Sequence, residues 1–362
     1  MTDKLIGKQL GGYQVRDLLG SGGMARVFRG YDPSLDREVA IKVISVEGQP
    51  PDFVDRFRRE ARVVAKLNHP HIVHVYHYGE QDHVVYMVQQ LLPGPTLDLR
   101  LREASRRRLP ADQVQTVIAQ VADALDFAHA QGVIHRDVKP ANMLYDGQGQ
   151  IVLTDFGIAR SLSDVRTTAT GPGVVMGTPA YVAPEQAISS AALTPACDVY
   201  SLGVVLFQML TGRLPFDADT PMGVVLKHLY DEPPAPSSVR ADLAPELDAV
   251  VLRALRKEPE ARYQSAGALA QALKAAWPAR AARSAPARAA AAAAPTAAPA
   301  PASAQAPAAA PRKARAAATT TPKRGTPTPP PVAAVRREQP EVRPAPKQAE
   351  RLAPGPASTP RP

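Results

Sequence analysis

The chain has 362 residues and a formal net charge of +9, enough for two packed domains or for one two-lobed domain followed by a tail. Up to about residue 276 apolar, charged and turn residues are mixed, whereas from Pro278 onward the sequence is mostly Ala and Pro with no aromatic residue, which excludes a second core. After Trp277, fourteen Lys and Arg face three Glu, a net of +11, so the first 277 residues carry about −2; the basic balance belongs to the tail and excludes a folded part that is itself a basic, nucleic-acid-binding body.

One cysteine, Cys197, excludes a disulfide within the chain and a Cys-based zinc site, and suits a reducing compartment. Met1 to Leu10 is a short polar mixture without the apolar stretch of a secretory signal. The most apolar part of the tail, Ala289 to Pro311, is interrupted by prolines and carries Ala where a membrane span would carry Leu, Ile or Val. These features predict a cytoplasmic protein with no membrane span.

In chain order, Tyr13–Val15 and Leu18–Val27 read as a strand, a glycine turn at Gly20, Ser21, Gly22 and Gly23, and a return strand. Glycines there let the backbone approach a phosphate chain and present N–H groups to it. Val39-Ala40-Ile41-Lys42 alternates as a strand does and aims Lys42 beneath that turn. Phe53 to Leu67 is predicted helical, with proline in Asn68-His69-Pro70 as the breaker. His69, His71, His74 and His77 cluster in sequence, but without the Cys or carboxylate pattern of a zinc site. Val84–Val88 is a buried-strand run, and Val114 to His129 carries apolar residues at helical spacing.

The densest chemistry follows. His135-Arg136-Asp137-Val138-Lys139-Pro140-Ala141-Asn142 is succeeded thirteen residues later by Asp155-Phe156-Gly157. Phosphoryl transfer needs a carboxylate to receive the proton of the attacking hydroxyl, a second carboxylate and an amide oxygen to hold a divalent metal, and a cation for the developing charge. Asp137, Asp155, Asn142 and Lys139 can fill those roles. In this order, with Val39–Lys42 upstream and Ala183-Pro184-Glu185 downstream, the chain resembles the Hanks-type serine/threonine protein kinases of bacteria. Lys139 two residues after Asp137, and Thr178 in Gly177-Thr178-Pro179-Ala180-Tyr181, both match the serine/threonine pattern.

The resemblance covers about three quarters of the chain. It implies an α+β, two-lobed kinase fold over 13–277, with an N-lobe 13–91 and a C-lobe 92–277, an extension 1–12 and a disordered tail 278–362. It implies ATP and Mg²⁺, with Mn²⁺ as an alternative, and protein substrates bearing Ser or Thr. Asp137 and Lys139 become catalytic, as do Lys42 and its helix partner Glu60, chosen over Glu47. Asn142 and Asp155 hold the metal. The nucleotide pocket takes Leu19, Gly20, Ser21, Gly22, Gly23, Val27, Ala40, Lys42, the Gln90 carbonyl, the Leu92 N–H and Leu144, with Gln89 at its back; Ala25 replaces the third glycine of the loop pattern. Thr167, Thr168 and Thr170 are activation-loop phosphosites, and Arg136 receives their charge. Glu185 and Arg262 form a buried pair, and Asp198 braces the catalytic loop. Relatives dimerise to phosphorylate themselves in trans.

Two rival functions remain at this level. A pseudokinase scaffold conflicts with the presence of Lys42, Glu60, Asp137, Asn142 and Asp155. A tail that binds nucleic acid or another acidic surface is supported by its charge, but Arg312-Lys313-Ala314-Arg315, Lys323-Arg324 and Arg336-Arg337 lack interleaved aromatic residues to stack bases, which argues against nucleic acid as a partner. Truncation after Trp277 removes no core-forming residues, so the melting temperature should stay within a few degrees of the full chain. Thr321, Thr326, Thr328 and Thr359 each precede proline in this basic segment, and mass spectrometry after incubation with ATP and Mg²⁺ should find phosphate there.

Overall fold

The period-two alternation of Arg37–Ser45 divides this strand between two environments. Val39, Ile41 and Val43 turn to one face, where they join buried Leu5, Leu10, Val15, Phe28, Tyr86 and Val88; Ala40, Lys42 and Ile44 turn to the other. A slip of one residue would exchange the faces and withdraw Lys42 from the cleft. The computed structural model describes residues 5–22, 25–156, 179–188 and 193–277. Gly23, Gly157, Thr167, Thr168, Thr170, Thr178 and the tail from 278 lie outside the described residues.

The N-lobe is a six-stranded antiparallel sheet of β1 (Gln9–Leu10), β2 (Tyr13–Ser21), β3 (Ala25–Asp32), β4 (Arg37–Ser45), β5 (Val75–Gln81) and β6 (Val84–Gln90). Their order is β1-β2-β3-β4-β6-β5. Residues 5–12, expected as an extension, pack on this sheet: Leu5 and Leu10 are buried and β1 pairs with β2. One helix, α1 (Phe53–Val64), covers the other face, burying Phe53, Phe57, Ala61 and Val64 beside Ile44, Val85 and Met87. It stops three residues short of the expected Leu67. The N–H groups of Lys66 and Leu67 donate to the carbonyls of Val63 and Val64 at 3.2 and 3.0 Å, tightening the last turn while Leu67 stays buried.

The C-lobe contains α2 (Leu97–Glu103), α3 (Ala111–Ala130), the hairpin β7 (Met143–Tyr145) and β8 (Ile151–Leu153), and α4 (Pro184–Ala187). These are followed by α5 (Ala196–Thr211), α6 (Pro221–Tyr230), α7 (Pro236–Val239), α8 (Pro245–Ala254) and α9 (Ala266–Ala276). Apolar nearly all round, α5 is buried from Cys197 through Phe207 and is the lobe's axis. A Cβ at Gly203 would lie 2.7 Å from the Ala254 Cβ, so glycine sets how closely α5 and α8 approach. Gly212, at φ 78°, ends α5 in the left-handed conformation. The Asp126 carboxylate on α3 accepts from the N–H groups of Ala266 and Gly267 at 2.8 and 2.9 Å, anchoring the start of α9. Among the described residues no helix is long and apolar enough to cross a membrane.

One ion pair closes this lobe. Arg262, fully buried, donates from Nη1 and Nη2 to Glu185 Oε1 and Oε2 at 2.7 and 2.8 Å. Its remaining donors reach the carbonyls of Ala196, Arg256 and Lys257, so every face of the guanidinium is satisfied. Arg262→Met should leave the Glu185 carboxylate buried without its counter-charge and cost about 3–5 kcal/mol, read from urea denaturation midpoints. A loss under about 1 kcal/mol would show that the pair is not essential to the fold.

Candidate active site

The loop that follows α3 is shaped by a carboxylate from another element. Asp198, in the first turn of α5 and fully buried, accepts from the backbone N–H of His135 and of Arg136, each at 2.8 Å, and lies 2.8 Å from His129 Nε2. Arg136 is thereby held at φ 65°, a left-handed conformation that costs a non-glycine residue about 1 kcal/mol or more. The buried His135 ring continues the chain of constraints. A carbonyl can only accept, so Nε2 donates to Thr154 O at 2.9 Å, and Nδ1 accepts from the Asp137 N–H at 3.2 Å. Burial lowers the His135 pKa, against the pull of Asp198 and Asp137, which keeps the ring in the neutral form this tautomer needs. The ring also packs 4.5 Å from that of Phe156.

Asp137 is therefore positioned from its own backbone outward. Its carboxylate lies 2.7 Å from Lys139 Nζ and accepts from Asn142 Nδ2 at 3.0 Å, while the same amide nitrogen donates to the Asp137 carbonyl at 2.9 Å. Asn142 is buried, and with its nitrogen committed its amide oxygen is the group left as an acceptor. Asp137 and Lys139 keep 20 and 25% of their side-chain surface exposed, so both can be reached from solvent.

Across the cleft, Lys42 Nζ donates to Asp155 Oδ1 at 2.8 Å. Burial raises the Asp155 carboxyl pKa, but the Lys42 ammonium, with Lys139 farther off, outweighs it and holds the group below the usual carboxylate range. Asp155 is the second left-handed residue of the site, at φ 61°. The expected partner of Lys42 was Glu60. Here the ammonium pairs with Asp155, and a Lys42–Glu60 ion pair is not among those of the described residues. On the inward side of α1, Phe57 and Val64, with Phe156, line a small cavity next to Lys42 and Asp155.

Around Lys42, Ala40 pairs with Gln89 and Val27 with Lys42 across the sheet. Leu144 packs with Val73, Leu92 and Val152, which forms an apolar floor. The Gln90 N–H is used by His74 O at 2.8 Å, whereas the Leu92 N–H has no hydrogen bond among the described residues. A flat heterocycle with an acceptor on its edge suits such a lone donor between apolar walls. Of the glycine turn, Leu19, Gly20 and Ser21 lie in β2, and the Gly22 N–H donates to Ala25 O at 2.8 Å.

Sequence reasoning passed over three groups that the fold brings in. His129 is the side-chain donor to Asp198, Thr154 supplies the carbonyl for His135, and Gln186 Nε2 donates to Arg136 O at 2.8 Å. The left-handed backbone at Arg136 and Asp155 also has no residue-type signal, since neither is Gly or Asn. His69 and His71 are bound elsewhere, to Asp123 at 3.2 Å and to Ile151 O at 2.8 Å.

The protein kinase domain family matches residues 13–277. The chain is 42% identical over 275 residues to the serine/threonine-protein kinase PksC of Streptomyces coelicolor, covering 74% of this chain and 49% of that one. It is 39% identical over 277 residues to the serine/threonine-protein kinase PrkC of Bacillus subtilis, covering 76% and 42%. The chain thus spans about half or less of the length of these relatives. Among solved structures, the kinase domain of Mycobacterium tuberculosis PknI superposes with a TM-score of 0.61 at 30% identity, covering 75% of this chain and 98% of that one. With Asp137, Lys139 and Asn142 gathered on one loop and Lys42 against Asp155 above it, the chain belongs to the protein kinase family, among the bacterial Hanks-type serine/threonine kinases.

Proposed function

We propose that the chain is an active serine/threonine protein kinase that transfers the γ-phosphoryl group of ATP to Ser and Thr hydroxyls of proteins. The observation that carries the reading is the Asp137 carboxylate, within 3.0 Å of Asn142 Nδ2 and 2.7 Å of Lys139 Nζ on a loop braced by Asp198. In this reading residues 13–277 are the catalytic domain, in two lobes that meet near residue 91, and 278–362 is a tail outside it. The buried thiol of Cys197 and the lack of a spanning helix among the described residues support a cytoplasmic location.

The donors fit the required groups. Asp155 and Asn142 offer hard oxygens, and among the described residues no cluster of three or more His, Cys, Asp or Glu could by itself hold a metal. Two protein oxygens with the remaining positions left to water and phosphate is how Mg²⁺ is usually bound, and Mn²⁺ accepts the same donors. ATP with its divalent ion supplies the phosphoryl group and the charge screening. Leu19, Gly20, Ser21, Gly22, Gly23 and Val27 would serve the phosphates and ribose. Ala40, Gln90, Leu92 and Leu144 would hold the adenine.

The chain's own groups do the rest. Asp137 orients the acceptor hydroxyl and takes its proton, Lys139 lies beside it as the local cation, and Lys42, with Glu60 as the partner this reading gives it, would serve the phosphates while Asp155 would hold the metal. Phosphorylation at Thr167, Thr168 or Thr170 would give Arg136 an anionic partner; a transient homodimer would let one copy modify another.

Asp137→Asn should lower kcat about 10²- to 10⁴-fold, the usual contribution of a general base, with ATP affinity close to parental because Asp137 does not line the adenine site. Parental autophosphorylation in the purified mutant would remove Asp137 from this role and favour a scaffold. Asp155→Ala should instead shift the Mg²⁺ dependence to higher concentrations, and an unaltered metal titration would exclude Asp155 as a ligand.

Activation should be autocatalytic. Phosphatase-treated enzyme should show a lag that shortens as enzyme concentration rises. The Thr167/Thr168/Thr170 triple alanine variant should remain at its basal rate; full activity without a lag in that variant would rule the switch out.

A further inference from the structure

The 3-10 turn Pro179–Tyr181 leads directly into α4, where Gln186 donates to the carbonyl of Arg136, the residue before Asp137. This contact sets residues 179–186 beside the loop that carries Asp137, where a polypeptide presenting a hydroxyl to that carboxylate would run, so whatever fixes this stretch bears on the acceptor. Glu185 is fixed by Arg262, and the Tyr181 carbonyl accepts from Ser201 Oγ at 2.7 Å. The Ala180 carbonyl is held by His228, whose Nε2 lies at 3.1 Å.

His228 projects from α6 and is fully buried, edge-on to Phe216 at 4.9 Å. Because Ala180 O can only accept, Nε2 carries the proton. Burial, with Lys257 adding to it, moves the His228 pKa down to about 4 against the Ala180 hydrogen bond, so the ring is neutral at pH 7. Nδ1 is then an acceptor, and the Tyr200 hydroxyl donates to it at 2.9 Å. Lys257 Nζ donates to the His228 carbonyl at 2.8 Å, and the Arg262 guanidinium lies 4.9 Å over the Tyr200 ring. From Glu185 through Arg262, Tyr200 and His228 to Ala180, these contacts form a circuit that leaves the stretch at one end and returns to it at the other.

We infer that His228 is a positioning residue for the acceptor polypeptide, setting through the Ala180 carbonyl the surface on which that polypeptide lies beside Asp137. The inference rests on the kinase reading above. A histidine that served only the core would affect nucleotide and acceptor equally when replaced, whereas a positioning role appears in the acceptor alone.

The test uses the full chain, with His228→Leu to remove the donor and His228→Gln to keep an N–H directed at Ala180 O. The acceptor is a synthetic peptide library with a central serine and randomised flanks. His228→Leu should raise the acceptor KM about tenfold, the loss expected for one buried hydrogen bond, and leave ATP affinity by calorimetry within about twofold; His228→Gln should recover most of the change. A folded His228→Leu protein with parental acceptor KM, or with equal losses toward ATP and peptide, would overturn the inference. Failure of both variants to fold would make His228 a residue of the core and overturn it too. A parent enzyme that phosphorylates no member of the library would instead refute the kinase reading, and the inference would fall with it.

Discussion

The carboxylate of Asp198 is the constraint from which the catalytic half of the molecule is built. It sits in the first turn of a helix that is buried on nearly every side, where an unsatisfied charge would be very costly. Two backbone N–H groups and one imidazole supply its partners, and by accepting from them it fixes a loop that has no regular structure of its own. The loop's left-handed residue is affordable only because these bonds over-determine it. From there the order passes residue by residue, through the His135 ring to Thr154 and Asp137, and by packing to Phe156 beside Asp155. Lys42 in the other lobe is reached at the end of this chain.

The same residue type serves different ends in three environments. Asp198 is fully buried and surrounded by donors, so it is fixed as structure. Asp137 retains a fifth of its side-chain surface and Asp155 a third, and each has a lysine within 2.8 Å while keeping surface open toward the cleft. A carboxylate can bind a proton or a metal only where solvent and ligand can reach it, and the fold makes that distinction by placing one aspartate in a helix core and two on loops at its edge.

How much of this was legible depends on the range of the interaction. The alternation in Val39–Lys42 was sufficient to direct Lys42 inward, and the spacing within His135–Asn142 was sufficient to join Asp137 to Asn142, because both depend on local geometry. The ionic partner of Lys42 was not legible in the same way. The sequence offers Lys42 a carboxylate on α1 and another at the start of the Asp155 loop, and which of them it meets depends on how the two elements are set against β4, a long-range arrangement that local spacing does not carry. Leu5 and Leu10 were placed outside the domain because a two-residue strand has too little periodicity to announce itself. Gln186 and His129 reveal their roles only when α4 and α3 are set beside the loop, and positive φ at Arg136 and Asp155 is imposed by distant hydrogen bonds.

Cys197 gives the Asp198 brace a property of its own. It is the chain's single cysteine, completely buried, with its sulfur 3.8 Å from Asp198 Oδ1. Burial, reinforced by the charges of Asp198 and Glu185, raises its pKa, so the thiol is shielded from reagents by both access and charge. It becomes reactive only in molecules whose α5 amino terminus has opened. The rate at which a small alkylating agent consumes this thiol is thus the product of its intrinsic reactivity and the fraction of time the brace is undone, and the unmodified chain carries its own meter for the integrity of the catalytic loop's anchor.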